Sequence, residues 1–163
     1  MVVAPGTYPL LESIDTPEQL RREGRSGLAL LAFGALLDPA RKIAERLDAT
    51  LVNMRFIKPL DEDLVLALAA RHRAPVTIEE NVTLGGAGTA VAQLLAAEAQ
   101  PLPLLQIGIP HPFIEHGSRE SCLAAAGLYL AGLSTRIEHW RASQCERDAS
   151  AWRVELRSYD QHA

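Results

Sequence analysis

Two cysteines in 163 residues, Cys122 and Cys145, are all the thiol chemistry this chain has, and neither lies in a CxxC pair. Reduced thiols in a reducing compartment therefore fit better than a disulfide scaffold. Metal-site spacing is also missing. The histidines at 72, 111, 116, 139 and 162 include no i, i+4 pair, and no Cys/His cluster forms. Basic sequence is scarce as well: the formal charge is −4 and no Lys/Arg run exceeds two residues, so there is no field for a phosphate backbone. Nucleic acid is not expected as a partner. No apolar run approaches the ~20 residues of a membrane helix, and the amino terminus lacks the charged start and apolar centre of a signal peptide. A cytoplasmic location without membrane contact is the expectation. A G-x-S-x-G elbow is absent, which leaves a serine hydrolase unsupported.

What the chain has is apolar residue in quantity, 48%, enough for the core of one domain. From Gly27 to Ala126 short apolar runs alternate with helical periodicity. This pattern predicts an α/β fold: an open, mostly parallel sheet with helices on both faces. Strands are predicted at Leu28–Phe33, Thr50–Met54, Val76–Glu79 and Leu102–Ile107. A first helix is expected to start with Asp38 as N-cap and Pro39 at its first position, burying Ile43 and Leu47. A second starts with Asp61 as N-cap and carries Leu64, Leu68 and His72 at four-residue spacing. A third follows the glycines and packs Val91, Leu94 and Leu95 inward. A fourth runs from Ser118 to about Ala126, and Leu133–Ala142 suggests a last one.

The ends differ from this middle. Residues 1–24, with Pro5, Pro9 and Pro17, read as a linker or domain-joining segment, and 25–142 as the domain itself. Residues 143–163 form a divergent tail. Its Trp152, Val154, Leu156 alternation permits an extra edge strand, with a loosely ordered extension as the favoured reading.

In an open parallel sheet, ligands favour the edge formed by the carboxyl ends of the strands. Four loops arrive there, and they hold the candidate residues. Gly85, Gly86 and Gly88 precede the third helix, whose free N–H groups and positive dipole end offer an anion site, or else the glycines serve a tight turn and close packing. The spacing is neither a dinucleotide fingerprint nor a P-loop. Arg55 and Lys58 flank a strand end where two cations suit a phosphate or carboxylate, or salt bridges to Glu79, Glu80 or Asp61. Glu79 and Glu80 are neighbours on a strand and face opposite ways, so they do not make a facing acid/base pair. One is expected to be a buried or interface acceptor and the other to point outward. His116 shares the loop PHPFIEHG with His111 and Glu115, and pins a loop or a domain contact more readily than it serves catalysis.

Two dense blocks in fixed order, ATLVNMRFIKPLDE from Ala49 and PVTIEENVTLGGAG ending at Gly88, are flanked by LALLAFG (Leu28–Gly34) and LLQIGIPHPFIEHG (Leu104–Gly117). Together they resemble the carboxyl-terminal domain of 1-deoxy-D-xylulose 5-phosphate synthases, thiamine diphosphate enzymes of the transketolase superfamily. The likeness fades after about Ile137. It implies a transketolase C-terminal-domain-like fold and a parent reaction in which pyruvate and glyceraldehyde 3-phosphate give 1-deoxy-D-xylulose 5-phosphate and carbon dioxide, for isoprenoid and thiamine precursors. In such enzymes a GDG-type motif in the first domain holds the diphosphate and magnesium, the second domain supplies the glutamate partner of the pyrimidine ring, and an RYPRG segment before this region supplies a phosphate-binding arginine. None of this text occurs in the chain.

The resemblance therefore implies a scaffold and dimer-assembly domain that is not catalytic alone, with no catalytic, cofactor or metal residue of its own. Its expected partners are the preceding catalytic domains and a second copy. Phe56, Ile57, Phe113 and Ile114 are the apolar residues expected at that surface. Two alternatives stand beside it. One is a free-standing regulatory module that binds a phosphorylated metabolite at Gly85–Gly88 with Arg55. The other is an assembly subunit like the corresponding domain of 2-oxoacid dehydrogenase β-subunits.

Overall fold

The computed structural model describes residues 20–99 and 102–159, with side chains described as far as Gln144. Along the chain come β1 (Leu20–Arg22), β2 (Leu28–Ala32), α1 (Leu37–Leu47), β3 (Thr50–Asn53), α2 (Glu62–Arg71), β4 (Ala74–Val82), α3 (Ala87–Ala97), β5 (Leu105–Ile109), α4 (Arg119–Ala125) and α5 (Leu130–Tyr159). The sheet order is β1-β3-β2-β4-β5. β2, β3, β4 and β5 run parallel, and β1 closes one edge antiparallel to β3. In register, Leu30 sits between Leu51 and Val76, and Leu31 between Val52 and Thr77.

All five residues of β2 are buried, as expected for a central strand covered on both sides. Alternation along the strands sorts the core into two layers. Leu28, Leu30, Leu51, Ile78 and Ile107 pack against Ala40 and Ile43 of α1 and Leu133 and Ile137 of α5. Ala29, Leu31 and Val52 pack against Val65 and Leu68 of α2 and Val91 and Leu95 of α3. Helices thus cover both faces of an open, mostly parallel sheet.

Several expected boundaries shift for physical reasons. Asp38 does not cap α1. A 3-10 turn, Gly34–Leu36, leads directly into the helix, so Asp38 falls in the first turn, where its carboxylate accepts from Arg41 at 3.0 Å and faces Lys42 at 3.5 Å. Those two cations hold the Asp38 carboxyl below the usual range, Arg41 foremost. The last strand is Leu105–Ile109 instead of Leu102–Ile107. Pro103 has no N–H to give a ladder, and Leu102 and Leu104 pack on the α2–α3 side of the core. The tail is neither an edge strand nor a loose extension as far as Tyr159, because α5 continues through it. Residues 143–159 contain no glycine or proline and are rich in Ala, Arg and Glu, which favours helix over the strand hinted at by Trp152, Val154 and Leu156. The side chains of those three lie outside the described residues.

The segment expected to be a linker ends in β1. Residues 1–19 lie outside the described residues. Arg22 ties the strand down at the amino-terminal edge of the parallel strands, donating to Ala49 O at 2.8 Å and to Asp48 Oδ1 at 2.7 Å. Arg22 foremost, with Arg25 beside it, holds the Asp48 carboxyl below its ordinary range. His72 fastens the same edge. Its Nδ1 lies 2.9 Å from Leu68 O and its Nε2 2.8 Å from Thr50 Oγ1. A carbonyl only accepts, so Nδ1 donates to Leu68 O, and Nε2 and the Thr50 hydroxyl share the second bond. That hydroxyl oxygen in turn accepts from Gly24 N at 3.0 Å. The four-residue helical spacing that delivers Leu64 and Leu68 to the core thus ends in a histidine that joins α2 to β3 and to the segment after β1.

Candidate functional site

β2 is followed by β3 on one side and β4 on the other, so the topological switch point lies between the carboxyl ends of β2 and β4. Protein fills this crevice. Phe33 and Leu36 are each 3% exposed, and Phe33 N donates to Ile78 O at 2.8 Å. Glu79, 2% exposed, lies on the α3 face of β4 and turns its carboxylate to the start of α3. Glu79 Oε2 accepts from Ala87 N and Oε1 from Gly88 N, both at 2.8 Å. Both oxygens accept, the pattern of an ionised carboxylate at the positive end of a helix.

Neighbouring amides are also engaged. Gly85 N donates to Thr89 Oγ1 at 3.1 Å, Thr89 Oγ1 donates to Thr83 O at 3.0 Å, and Thr83 N donates to Ile109 O at 3.1 Å. An external anion at the Gly85–Gly88 turn would have to displace Glu79. The glycines follow from that arrangement. A Cβ on Gly86 would strike Val82 O and the Glu79 carboxylate, and one on Gly88 would lie 2.5 Å from Thr77 Oγ1. Gly85 needs no room but adopts φ +79°, the left-handed region that favours glycine.

The two glutamates part as strand alternation requires. Glu80, on the opposite face, forms an ion pair with Arg119 at the start of α4. Arg55 and Lys58 do not join the Glu79 cluster. They follow β3, and β2 stands between β3 and β4, so the strand ends are about 10 Å apart. Arg55 is half-buried and engaged in a contact of its own, while Lys58 is exposed and precedes a cis bond to Pro59. His116 is exposed on the loop after β5, as is His111. Glu79, Gly85, Gly86 and Gly88 are therefore brought together, and Arg55, Lys58, Glu80 and His116 stand apart from them.

The same edge carries apolar residues in the open. Phe113 is 92% exposed and Ile57 49%, with Phe56 at 37%. Ile114 instead packs on the core. Sequence reasoning missed Leu84, 77% exposed, and Val82, 46%. Val82 ends β4 beyond an irregularity in its pairing with β5, a feature without a sequence signature. Among the described residues no group of three His, Cys, Asp or Glu is placed to hold a metal, and no helix is long and apolar enough to cross a membrane.

Comparison with known proteins fits this geometry. The chain is 52% identical over 132 residues to 1-deoxy-D-xylulose-5-phosphate synthase of Nitrosococcus oceani, a match that covers 81% of this chain and 20% of that protein. The synthase of Thioalkalivibrio sulfidiphilus is 58% identical over 119 residues, covering 73% and 18%. The chain thus spans about a fifth of the length of these relatives. Among solved structures, a split-gene transketolase described as an inactive β4 tetramer superposes with a TM-score of 0.66 at 27% identity, covering 85% of this chain and 45% of that one. The profile of the transketolase C-terminal domain matches residues 18–133, and the chain belongs to that family.

Proposed function

We propose that this chain is the carboxyl-terminal scaffold and dimer-assembly domain of a 1-deoxy-D-xylulose 5-phosphate synthase, supporting chemistry performed by other regions of the enzyme. The observation that carries this reading is the occupied α3 N-terminus. Where an open parallel sheet offers an anion cradle, the Glu79 carboxylate already takes the Ala87 and Gly88 amides. A diphosphate would have to displace that carboxylate to reach this helix end. On this reading thiamine diphosphate and magnesium are held by the preceding domains, and the condensation of pyruvate with glyceraldehyde 3-phosphate takes place there.

Assembly draws support from the surface at the carboxyl edge, where Leu84, Phe113 and Ile57 stand apart from any core. The similar split-gene transketolase, 45% of which this chain covers, is described as a β4 tetramer. In a cytoplasmic synthase the apolar edge would contact the catalytic domains or a second copy. The regulatory alternative that relied on Gly85–Gly88 and Arg55 loses its anchor, because Glu79 fills the turn and Arg55 lies elsewhere. The 2-oxoacid dehydrogenase β-subunit alternative has the weaker support, since the curated relatives above are deoxyxylulose phosphate synthases.

Two measurements on the chain test the reading. Calorimetry with thiamine diphosphate and magnesium is expected to show no binding, and pyruvate with glyceraldehyde 3-phosphate no product. Micromolar binding or turnover would overturn it. Sedimentation over a hundredfold concentration range is expected to show self-association. A strictly monomeric chain would remove the dimer-assembly part of the proposal.

A further inference from the structure

A second feature of the carboxyl edge lies beyond the scaffold role. Beside β5, the unpaired edge strand of the described sheet, is an open pocket of about 460 Å³. Its walls come from the β4–α3 loop, the first turn of α3, β5 with the loop that follows, and α5. We propose that this pocket binds the phosphate group of a small metabolite, held by Arg136 and His111 together with the Gln106 carboxamide and the Gly108 peptide.

Charge is the first argument. The chain is acidic overall, yet the pocket lining includes Arg136 and His111 and no carboxylate. Arg22, Arg25, Arg41, Lys42, Arg46 and Arg119 each face an Asp or Glu, whereas Arg136 enters no ion pair among the described residues. An exposed guanidinium offers a planar fork of donors suited to an oxyanion.

Position is the second. Ile109 turns its carbonyl inward to Thr83 N, so strand alternation turns the Gly108 N–H outward to the free edge. Gly108 is buried and tolerates no side chain, because a Cβ there would lie 2.6 Å from Asn81 O. Gln106 is held against α3, with its Oε1 3.1 Å from where a Gly88 Cβ would stand. Its carboxamide N–H₂ brings further donors to the pocket wall. Arg136 of α5, His111 of the loop after β5, and Gln106 and Gly108 of β5 thus line one pocket, a set of donors suited to an oxyanion. The volume falls in the range of small-ligand sites. This pocket is separate from the α3 N-terminus, which Glu79 occupies.

The test is an amide-resolved NMR titration of the full chain with inorganic phosphate and with glycerol phosphate, each against chloride at matched ionic strength. Saturable shifts are expected at Thr83, Thr89, Gly108 and His111, with glycerol phosphate at least as effective as phosphate. Arg136→Gln is expected to weaken binding about fivefold or more, and His111→Gln by a smaller factor. Arg141→Gln, which removes an exposed cation of the same helix outside the pocket, is expected to leave the affinity unchanged. Both Arg136 and His111 are exposed, so an unaltered spectrum away from the pocket verifies the fold of each variant. Shifts that never saturate would overturn the proposal, as would a loss with Arg141→Gln equal to that with Arg136→Gln.

Discussion

Helices α2 and α3 pack on the same face of the sheet and are nearly equal in length, yet their first turns are satisfied in different ways. α2 takes its acceptor from next door: the Asp61 side chain accepts from Leu64 N at 3.0 Å. α3 has Gly86 at its N-cap, without a side chain, and borrows the Glu79 carboxylate from β4, eight and nine residues before the amides it serves. The local cap stabilises one helix. The borrowed cap also fixes α3 to β4, demands glycine at position 86, and seals the helix end against outside anions. One arrangement thus decides both packing and the absence of an anion cradle.

The harshest way to break this comparison is at Gly86. Its backbone is ordinary, so only space is at issue. A Cβ there meets Val82 O and both Glu79 oxygens, and Gly86→Val is expected to lose about 4 kcal/mol, with poor soluble yield. Gly85→Ala supplies the contrast. Nothing lies within 4 Å of its added carbon, and the cost is confined to φ +79°, about 1 kcal/mol. Urea unfolding of the two variants measures the difference, and equal losses would mean that the close approach to Glu79 is unimportant.

Removing the borrowed acceptor comes next. Glu79→Ala leaves two buried amides without partners and is expected to cost about 3 kcal/mol, against about 2 kcal/mol for Glu79→Gln, which keeps one acceptor oxygen. Acetate should recover part of the loss in Glu79→Ala by entering the vacated position, and should do nothing for the parent chain. Failure of acetate to raise the unfolding midpoint would argue that the Glu79 side chain acts by packing alone.

The same contrast explains what the sequence made legible. Asp61 and Ser118 stand beside the helices they cap, so local pattern identifies them, and the apolar runs of β2, β3 and β4 announce a covered parallel sheet. The opposed directions of Glu79 and Glu80 also follow from strand alternation. The destination of the Glu79 carboxylate does not, because it depends on how the Thr83–Gly86 turn brings α3 back over β4. Asp38 misled for a related reason: a 3-10 turn before α1 moved the helix start ahead of the residue with the better capping chemistry. Arg136 carried no local signal, since it reaches its pocket only when α5 lies beside β5.

The local cap of α2 has a smaller predicted effect than its borrowed counterpart. Asp61→Ala is expected to destabilise the domain by about 1 kcal/mol, because the Leu64 amide is near enough to solvent to find water. The measurement is the shift in urea midpoint at unchanged slope. A loss as large as that of Glu79→Ala would erase the distinction between the two kinds of cap.

The smallest effect belongs to α4, where Ser118 Oγ accepts from Ser121 N at 3.1 Å and also lies 3.1 Å from Ser121 Oγ. The cap has the same local form as that of α2, but α4 is seven residues long and contains no buried residue. A helix with so little packed on the core opens locally before the domain unfolds, so its cap adds little to global stability. Ser118→Ala should therefore move the unfolding midpoint by less than about 0.5 kcal/mol in equivalent energy, while hydrogen exchange at Ser121 quickens. The two readouts together separate cap chemistry from what the cap supports. A global loss equal to that of Asp61→Ala would mean that the Arg119–Glu80 ion pair and the Leu123 contact make α4 part of the cooperative unit. Unchanged exchange at Ser121 would instead mean that this hydrogen bond contributes nothing to holding the turn.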